Sequence, residues 1–126
     1  MSNINERLAM VRKLSGLTLA AFGERIGYDQ STVSRVERGK PPYEGRADDR
    51  YIIAVSRAHH VSETWLRTGE GEMYAVPPGE DPDESRVRWA LGLFSQLTPS
   101  GQRQVLQIAR EIVRVGDEKE QEDKED

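Results

Sequence analysis

The sequence predicts an all-α chain with two helical parts, and three observations support this. Apolar residues recur every three or four positions wherever they cluster, which is the pattern of amphipathic helices. Residues that can cap a helix precede these clusters, and glycines commonly follow them. No strand-like alternation of apolar and polar residues competes with this pattern. We therefore expect five short helices within residues 1–74 and a helical hairpin within residues 85–116.

The first three helices are delimited by capping residues and glycines. Short polar side chains that accept hydrogen bonds from the first helical turn precede each helix, and glycines, which readily adopt left-handed conformations, follow it. The predicted N-caps are Asn3 (with Glu6 at the reciprocal capping-box position), Thr18 and Asp29, and the predicted stops are Gly16, Gly27 and Gly39. We expect the third helix to run from Gln30 to about Arg38.

Two further helices complete residues 1–74. A loop at residues 41–45 leads to a fourth helix, capped by Asp48 or Asp49. Ser62 precedes a short fifth helix, which Gly69 stops. The five helices are expected to bury one small core.

The rest of the chain is predicted to be a linker, a hairpin and a tail. Residues 75–84 contain three prolines and four acidic residues, a composition that indicates an extended linker without a helix. Helical periodicity then runs from Arg86 to Gln96, and Thr98-Pro99 starts a last helix that Gly116 is expected to end. Residues 117–126 carry seven acids and two lysines and are predicted to be a disordered tail.

The hairpin has apolar faces that require a partner, because two helices alone bury little surface. That partner is either residues 1–74 of the same chain or the hairpin of a second chain. We favour a homodimer, because the linker separates the hairpin from the first part. The predicted dimer contacts are Val87, Leu91, Phe94, Val105, Ile108 and Ile112, with Trp89 and Leu93 widening the face.

Composition narrows the function classes. The absence of cysteine excludes disulfides, thiol catalysis and zinc–cysteine sites. With no signal peptide and no apolar run of about 20 residues, we expect a cytoplasmic protein without membrane contact. His59 and His60 lack further ligands at suitable spacing, so we expect no metal site. No motif indicates an enzyme or a cofactor.

The net charge of −4 does not exclude a nucleic-acid partner, because the charge is unevenly distributed. Residues 1–40 carry seven basic and four acidic side chains, a net +3, whereas residues 117–126 carry a net −5. Attraction to phosphates depends on the local charge.

Residues 17–40 have the layout of two helices around a glycine-marked turn, which is typical of motifs that insert the second helix into the DNA major groove. Glutamine can pair with adenine, and arginine can donate two parallel hydrogen bonds to guanine. The expected base contacts are Gln30, Ser31, Thr32, Ser34 and Arg35. The expected phosphate contacts, which set register and affinity, are Arg12, Arg38, Lys40, Lys13 and Arg50.

Residues 1–74 resemble the phage-repressor and Cro-like helix-turn-helix family, also called the xenobiotic-response-element family. The resemblance lies in Arg12, Leu17-Thr18, Phe22-Gly23, Ile26-Gly27, residues 31–40, Val61-Ser62 and residues 65–71. It implies a five-helix lambda-repressor-like DNA-binding domain in which Arg12 pairs with Glu37.

Three features depart from the family pattern: Leu19 replaces a polar residue, Gly23 replaces the usual alanine, and the loop at 41–47 is longer. The hairpin more weakly resembles oligomerisation segments of phage and mobile-element repressors.

These observations lead to two hypotheses. The first is a homodimeric transcriptional repressor of phage or mobile-element type that reads a palindromic operator in double-stranded DNA through the major groove; an activator would use the same domain. The alternative is an antitoxin- or adaptor-type interaction module with the same fold, whose partner is a protein. An antirepressor is a further protein partner to consider.

Overall fold

The computed structural model describes residues 2–124, and the regular structure of this range is helical. The helices are α1 (Ile4–Leu14), α2 (Leu19–Ile26), α3 (Gln30–Glu37), α4 (Asp49–His59), α5 (Glu63–Thr68), α6 (Pro82–Ser95) and α7 (Pro99–Lys124). Within the same range, the extended pairing consists of one isolated bridge between Val61 and Tyr74. The predicted all-α class is therefore confirmed.

The starts of α1 to α5 lie at the predicted capping residues. Side-chain oxygens at four N-caps accept a hydrogen bond from the backbone N–H three residues later. These bonds are Asn3 with Glu6 (2.9 Å), Thr18 with Ala21 (3.1 Å), Asp29 with Thr32 (2.7 Å) and Ser62 with Trp65 (3.2 Å). Asp48 precedes α4 without a side-chain capping bond.

Helices α1 to α5 enclose one hydrophobic core, to which each contributes its apolar stripe. The fully or almost fully buried side chains are Leu8, Val11, Phe22, Val33, Val36, Tyr51, Ile52, Val55, Val61 and Leu66. Since α3 is anchored by two valines on its inner side, its opposite side is available to solvent.

Arg7 is buried in this core region, with only 5% of its surface exposed. Its Nε donates to the carbonyl oxygen of Leu66 at 2.9 Å, and its Nη2 donates to that of Arg67 at 3.1 Å. The side chain thereby satisfies carbonyls in the last turn of α5, which have no partner within that helix. Arg7 is one of the seven basic residues behind the net charge of +3 over residues 1–40, but it is buried and adds little positive charge to the protein surface.

Asn5 is the second buried polar residue of α1 and connects it to the loop that follows α3. Its Nδ2 donates to the carbonyl oxygens of Val36 (2.8 Å), Tyr43 (2.8 Å) and Arg46 (3.1 Å), and its Oδ1 accepts from Gly45 N–H at 2.9 Å. One side chain therefore holds the course of the loop at residues 43–46.

Tertiary contacts divide the chain into two compact units, of which the first ends at Leu93 and the second begins at Phe94. In the first unit, α6 begins at Pro82, inside the segment predicted to be a helix-free linker. That expectation was wrong because proline suits the first position of a helix, and the following Asp83 and Glu84 favour its N-terminal turn.

The first half of α6 packs onto the preceding residues. Ser85 is 5% exposed, and the Trp89 ring lies 6.1 Å from the ring of Tyr74. Arg88 pairs with Glu80, whose pKa is lowered mainly by that hydrogen bond. Trp89 is half-buried and lies against Tyr74, and its part in a dimer face stays a prediction.

In the second unit, α7 continues through Gly116 to Lys124, so the predicted end at Gly116 and the predicted disorder of the tail were wrong over residues 117–124. The composition of this segment explains the difference, because glutamate, lysine and glutamine are good helix formers. Arg114 also pairs across one turn with Glu118 at 2.6 Å. The last two residues of the predicted tail lie outside the described range. None of the helices in residues 2–124 is long and apolar enough to span a membrane.

Candidate nucleic-acid interface

The outer surface of α3 carries the side chains that the sequence predicts as base contacts. Val33 and Val36 are completely buried on the inner side of the helix. Of the predicted contacts, Gln30, Ser31 and Arg35 are exposed, and Thr32 and Ser34 are half-buried. The helix therefore presents an amide, a guanidinium and small hydroxyls around one surface.

The turn between α2 and α3 is tight because Gly23 has no side chain. A Cβ atom at this position would overlap the carbonyl oxygen of Tyr28 and would lie 3.2 Å from Cγ2 of Val33. Tyr28 N–H donates to the carbonyl oxygen of Gly23 at 2.8 Å, and Gly27 closes the helix with a φ of 85°. Glycine at position 23, where the family usually has alanine, therefore allows this turn to approach α2 closely.

The C-terminal end of α3 is held by an ion pair between Arg12 and Glu37. Arg12 Nε lies 2.7 Å from Glu37 Oε2, and Arg12 Nη2 donates to Oε1 at 2.9 Å. The hydrogen bond to Glu37 is the largest cause of the raised pKa of Arg12. The two side chains are only 17% and 8% exposed, so water competes weakly with this bidentate contact.

Arg12 also donates from Nη1 to the carbonyl oxygen of Leu17 at 3.0 Å. One guanidinium thereby connects α1, the segment before α2 and the end of α3. This arrangement orients α3, and it engages much of the hydrogen-bonding capacity of Arg12. The additional phosphate contact of Arg12 stays a prediction.

Ser34 and Arg38 form a second contact along α3. Arg38 donates from Nε and Nη2 to Ser34 Oγ at 3.1 and 2.7 Å. This pair holds the guanidinium of Arg38 against the helix and occupies acceptor capacity of Ser34. Arg35 Nη2 lies at the long distance of 3.5 Å from the carbonyl oxygen of Pro41, so its donors are weakly engaged.

The other predicted phosphate contacts are exposed cations at three separate places. Lys13 lies in the last turn of α1, Lys40 follows α3, and Arg50 lies in the first turn of α4. Leu19 is partly buried and packs against the core. The polar residue expected at this position is therefore replaced by an apolar core contact.

His59 is a core neighbour of α2. Its ring stacks on Phe22 with the ring centroids 5.0 Å apart, and its Nδ1 lies 3.1 Å from Ser15 Oγ. Burial, with smaller effects of Arg25 and His60, lowers the pKa of His59 to about 4. In the described part of the chain, no group of three or more His, Asp or Glu side chains is arranged to hold a metal ion.

Comparison with known families gives a match to a helix-turn-helix domain over residues 6–64. The chain carries a helix-turn-helix domain. The match spans most of α1, all of α2 to α4 and the start of α5, and it contains both the α2–α3 turn and the Arg12–Glu37 pair. It agrees with the predicted resemblance to phage-repressor-like regulators, which is confirmed.

Three relatives are each 34% identical to the chain over 73 residues, which are 58% of this chain and 32% of the relative. They are the HTH-type transcriptional regulators for the conjugative elements R391 of Providencia rettgeri, SXT of Vibrio cholerae and pMERPH of Shewanella putrefaciens. The chain thus matches about a third of the length of these relatives. No solved structure matches it significantly.

Sequence reasoning missed the roles of Asn5 and Arg7 beside this site. Both residues flank the apolar stripe of Ile4, Leu8 and Val11 on α1, and this position was the available signal. Apart from Ser2, which accepts from Arg7, their partners lie 31 to 60 residues away in the sequence, so no local pattern indicated them.

Proposed function

We propose that this protein is a homodimeric transcriptional repressor that binds a palindromic DNA operator in the major groove. The observation that carries the proposal is the surface of α3. Its inner valines and the Arg12–Glu37 pair hold the helix in place, while Gln30, Ser31 and Arg35 are exposed on it. A helix presented in this way matches the depth and hydrogen-bonding pattern of the major groove.

The cations around α3 support DNA as the ligand. Arg38 and Lys40 follow the exposed helix surface directly, where they would contact phosphates beside the groove. Because Ser34 positions Arg38, this contact requires little reorganisation of the side chain. The names of the relatives, which are regulators for conjugative elements, favour a mobile genetic element as the source of the operator.

Dimerisation would place two copies of α3 about one DNA turn apart. The exposed apolar side chains of α6 and those of α7 are two candidate surfaces for this second copy. The predicted dimer contacts Val87, Leu91, Val105, Ile108 and Ile112 are 43% to 66% exposed, and Phe94 is half-buried. Such exposure on helices with an apolar stripe is typical of an interaction surface.

The proposal is tested by selecting bound sequences from random duplex DNA with the full-length protein at near-physiological salt. We expect enrichment of a motif with two-fold symmetry. Arg35→Ala should then weaken binding to that motif by about 10- to 100-fold, because a good base contact contributes about 1–3 kcal/mol of discrimination. Arg57→Ala is the matched control, because it removes the same charge from an exposed arginine on α4.

Two results would contradict the proposal. One is unchanged operator affinity of Arg35→Ala. The other is a folded full-length protein that enriches no sequence, which would favour the protein-interaction module.

A further inference from the structure

The side chain of Asn5 connects the start of α1 to the end of α3 and to the loop at residues 43–46. Asn5 is almost fully buried, with 2% of its surface exposed. Its Nδ2 donates to the carbonyl oxygen of Val36 at 2.8 Å and to that of Arg46 at 3.1 Å. Because one nitrogen bonds both oxygens, these oxygens lie at most about 6 Å apart, although a whole loop separates the two residues in the sequence. The backbone of Arg46 is therefore brought back to the end of α3.

The second half of this loop depends on Asn5 for its hydrogen bonds. Tyr43 N–H donates to the carbonyl oxygen of Lys40 at 2.7 Å, which closes a turn at the start of the loop. Further along, the N–H of Arg46 lies 3.5 Å from the carbonyl oxygen of Tyr43, which is at the limit of a hydrogen bond. The N–H of Gly45 donates to Asn5 Oδ1 at 2.9 Å. Asn5 therefore supplies the short bonds that hold the loop where Arg46 lies.

Arg46 is an exposed cation without a compensating carboxylate. None of the ion pairs among residues 2–124 includes its guanidinium. Glu44, the acid of the same loop, lines a groove with Glu6 and Arg38, and Arg46 is not part of that lining. The charge of Arg46 is therefore available to an anionic ligand, at the same end of α3 as Arg38 and Lys40.

We propose that Asn5 is a positioning residue for DNA binding and that it acts through Arg46. Asn5 holds the backbone of Arg46 beside the end of α3, and the Arg46 guanidinium contacts a phosphate of the DNA next to the groove. The inference rests on the proposed function and adds a contact that sequence reasoning did not assign. A phosphate is the expected ligand because residues that flank a helix in the major groove meet the DNA backbone, which arginine binds through two parallel donors.

Holding the loop in advance favours this contact. A loop that is already ordered loses less conformational entropy on binding than a loop that must first be fixed in place. The bonds from Asn5 to Val36, Tyr43, Gly45 and Arg46 provide this order in the free protein. Loss of the Asn5 side chain should therefore weaken the phosphate contact, while the base preferences of α3 stay the same.

The phosphate contact is measured by the salt dependence of DNA binding. The full-length protein is titrated, at several salt concentrations, with the duplex enriched in the DNA selection and with a duplex of unrelated sequence. Each lost phosphate contact reduces the slope of log K against log salt by about 0.9, so Arg46→Ala should reduce it by about 1.8 in a dimer with two such contacts. The affinity at near-physiological salt should fall by about tenfold. Arg46→Lys, which keeps the charge, should retain the slope, and Arg57→Ala on α4 should leave it unchanged.

The role of Asn5 is tested by a double-mutant cycle for DNA affinity. Asn5→Ala should lower the affinity and the salt slope as Arg46→Ala does. The double variant should bind about as well as either single variant, because a guanidinium on a loop that is not held in place contributes little. Asn5→Ala combined with Lys13→Ala is the control, and these effects should add, because Lys13 lies on α1 outside the loop. A merely structural role of Asn5 would give the same coupling in both cycles.

A second variant disturbs the loop from the protein surface, because Asn5→Ala removes buried hydrogen bonds and circular dichroism must first establish its folded fraction. Gly45 has a φ of 65°, and a Cβ added there would meet no atom within 4 Å. Gly45→Val therefore strains the backbone of the loop without touching the core, because β-branched residues rarely adopt a positive φ. We expect the same loss of salt slope as for Arg46→Ala.

Three results would overturn the inference: an unchanged slope for Arg46→Ala, full additivity of Asn5→Ala with Arg46→Ala, and wild-type DNA affinity of a folded Gly45→Val protein. The DNA selection separates these failures from failure of the proposed function. An enriched palindrome with an unchanged slope for Arg46→Ala would refute the phosphate contact and keep the repressor. A reduced slope on the unrelated duplex, with no sequence enriched, would support the contact and refute the repressor.

Discussion

Gly23→Ala is the substitution for which helix propensity and tertiary structure predict stability changes of opposite sign. In the interior of a helix, alanine is favoured over glycine by about 1 kcal/mol, so propensity alone predicts a more stable protein. In the structure, the added methyl group would overlap the carbonyl oxygen of Tyr28 and press on Val33 at 3.2 Å. The neighbour is backbone, which cannot move aside as a flexible side chain would.

The cost of this overlap exceeds the gain in propensity. Overpacking of a well-packed site typically costs about 1–3 kcal/mol. Because the neighbour is backbone, this overlap lies in the upper part of that range, at about 2–3 kcal/mol. Subtracting the gain of about 1 kcal/mol leaves a net loss of about 1–2 kcal/mol in the free energy of unfolding. For a domain of this size, that loss corresponds to a decrease in Tm of about 4–16 °C.

The assay is urea unfolding of the full-length protein followed by circular dichroism and tryptophan fluorescence. Ala20→Gly is the matched control, because Ala20 is exposed on the same helix and reports the propensity difference without a clash. We expect both variants to be less stable than the wild type. A Gly23→Ala protein that is more stable than the wild type would refute the reasoning, since propensity would then dominate.

Three further predictions concern polar side chains of α1, α3 and α4. Asn5→Ala should destabilise the protein by about 2–4 kcal/mol, because it leaves buried carbonyls without a donor. Hydrogen exchange of the Gly45 amide should also accelerate, and an unchanged exchange rate would contradict the role of Asn5 in holding the loop at residues 43–46. In a double-mutant cycle of Arg12→Ala and Glu37→Ala, urea unfolding should give a coupling energy of about 1–3 kcal/mol, and additivity of the two single effects would contradict the ion pair. The pKa of His59 is lowered from 6.5 to about 4 on folding, so the unfolded chain binds the proton more readily, and stability falls as the pH decreases from 6.5 towards 4. Urea unfolding at pH 7 and at pH 4.5 should show that His59→Phe loses less stability between the two pH values than the wild type does. Equal losses of stability would show that other groups cause the pH dependence.

Much of α3 and its surroundings could be predicted from the sequence. Asp29 marks the start of the helix, and the spacing of Val33 and Val36 identifies its inner side, so the outward position of Gln30 and Arg35 follows from periodicity. The α2–α3 turn was likewise marked by Gly27, which adopts the left-handed conformation that ends α2. The DNA contacts themselves stay predictions.

Two helix boundaries were mispredicted because composition was weighed above position. Prolines and acids in residues 75–84 suggested an extended linker, but Pro82 occupies the one helical position where its missing N–H has no cost. Gly116 suggested a helix end, but it lies in open space within α7 and adopts no left-handed conformation. Each prediction treated a residue as a helix breaker, although at its location in the helix that residue is neutral or only mildly unfavourable for helix stability.

By itself, the sequence determined the features that depend on interactions within one helical turn, such as the caps at Asn3, Thr18 and Asp29 and the apolar stripe of each helix. Only the tertiary structure decided which polar side chains become internal. Asn5 and Arg7 are satisfied by carbonyls that the fold brings near, and Gly23 is required by a turn that presses against α2. These contacts depend on the distance between chain segments after folding, which local patterns of residue type do not encode.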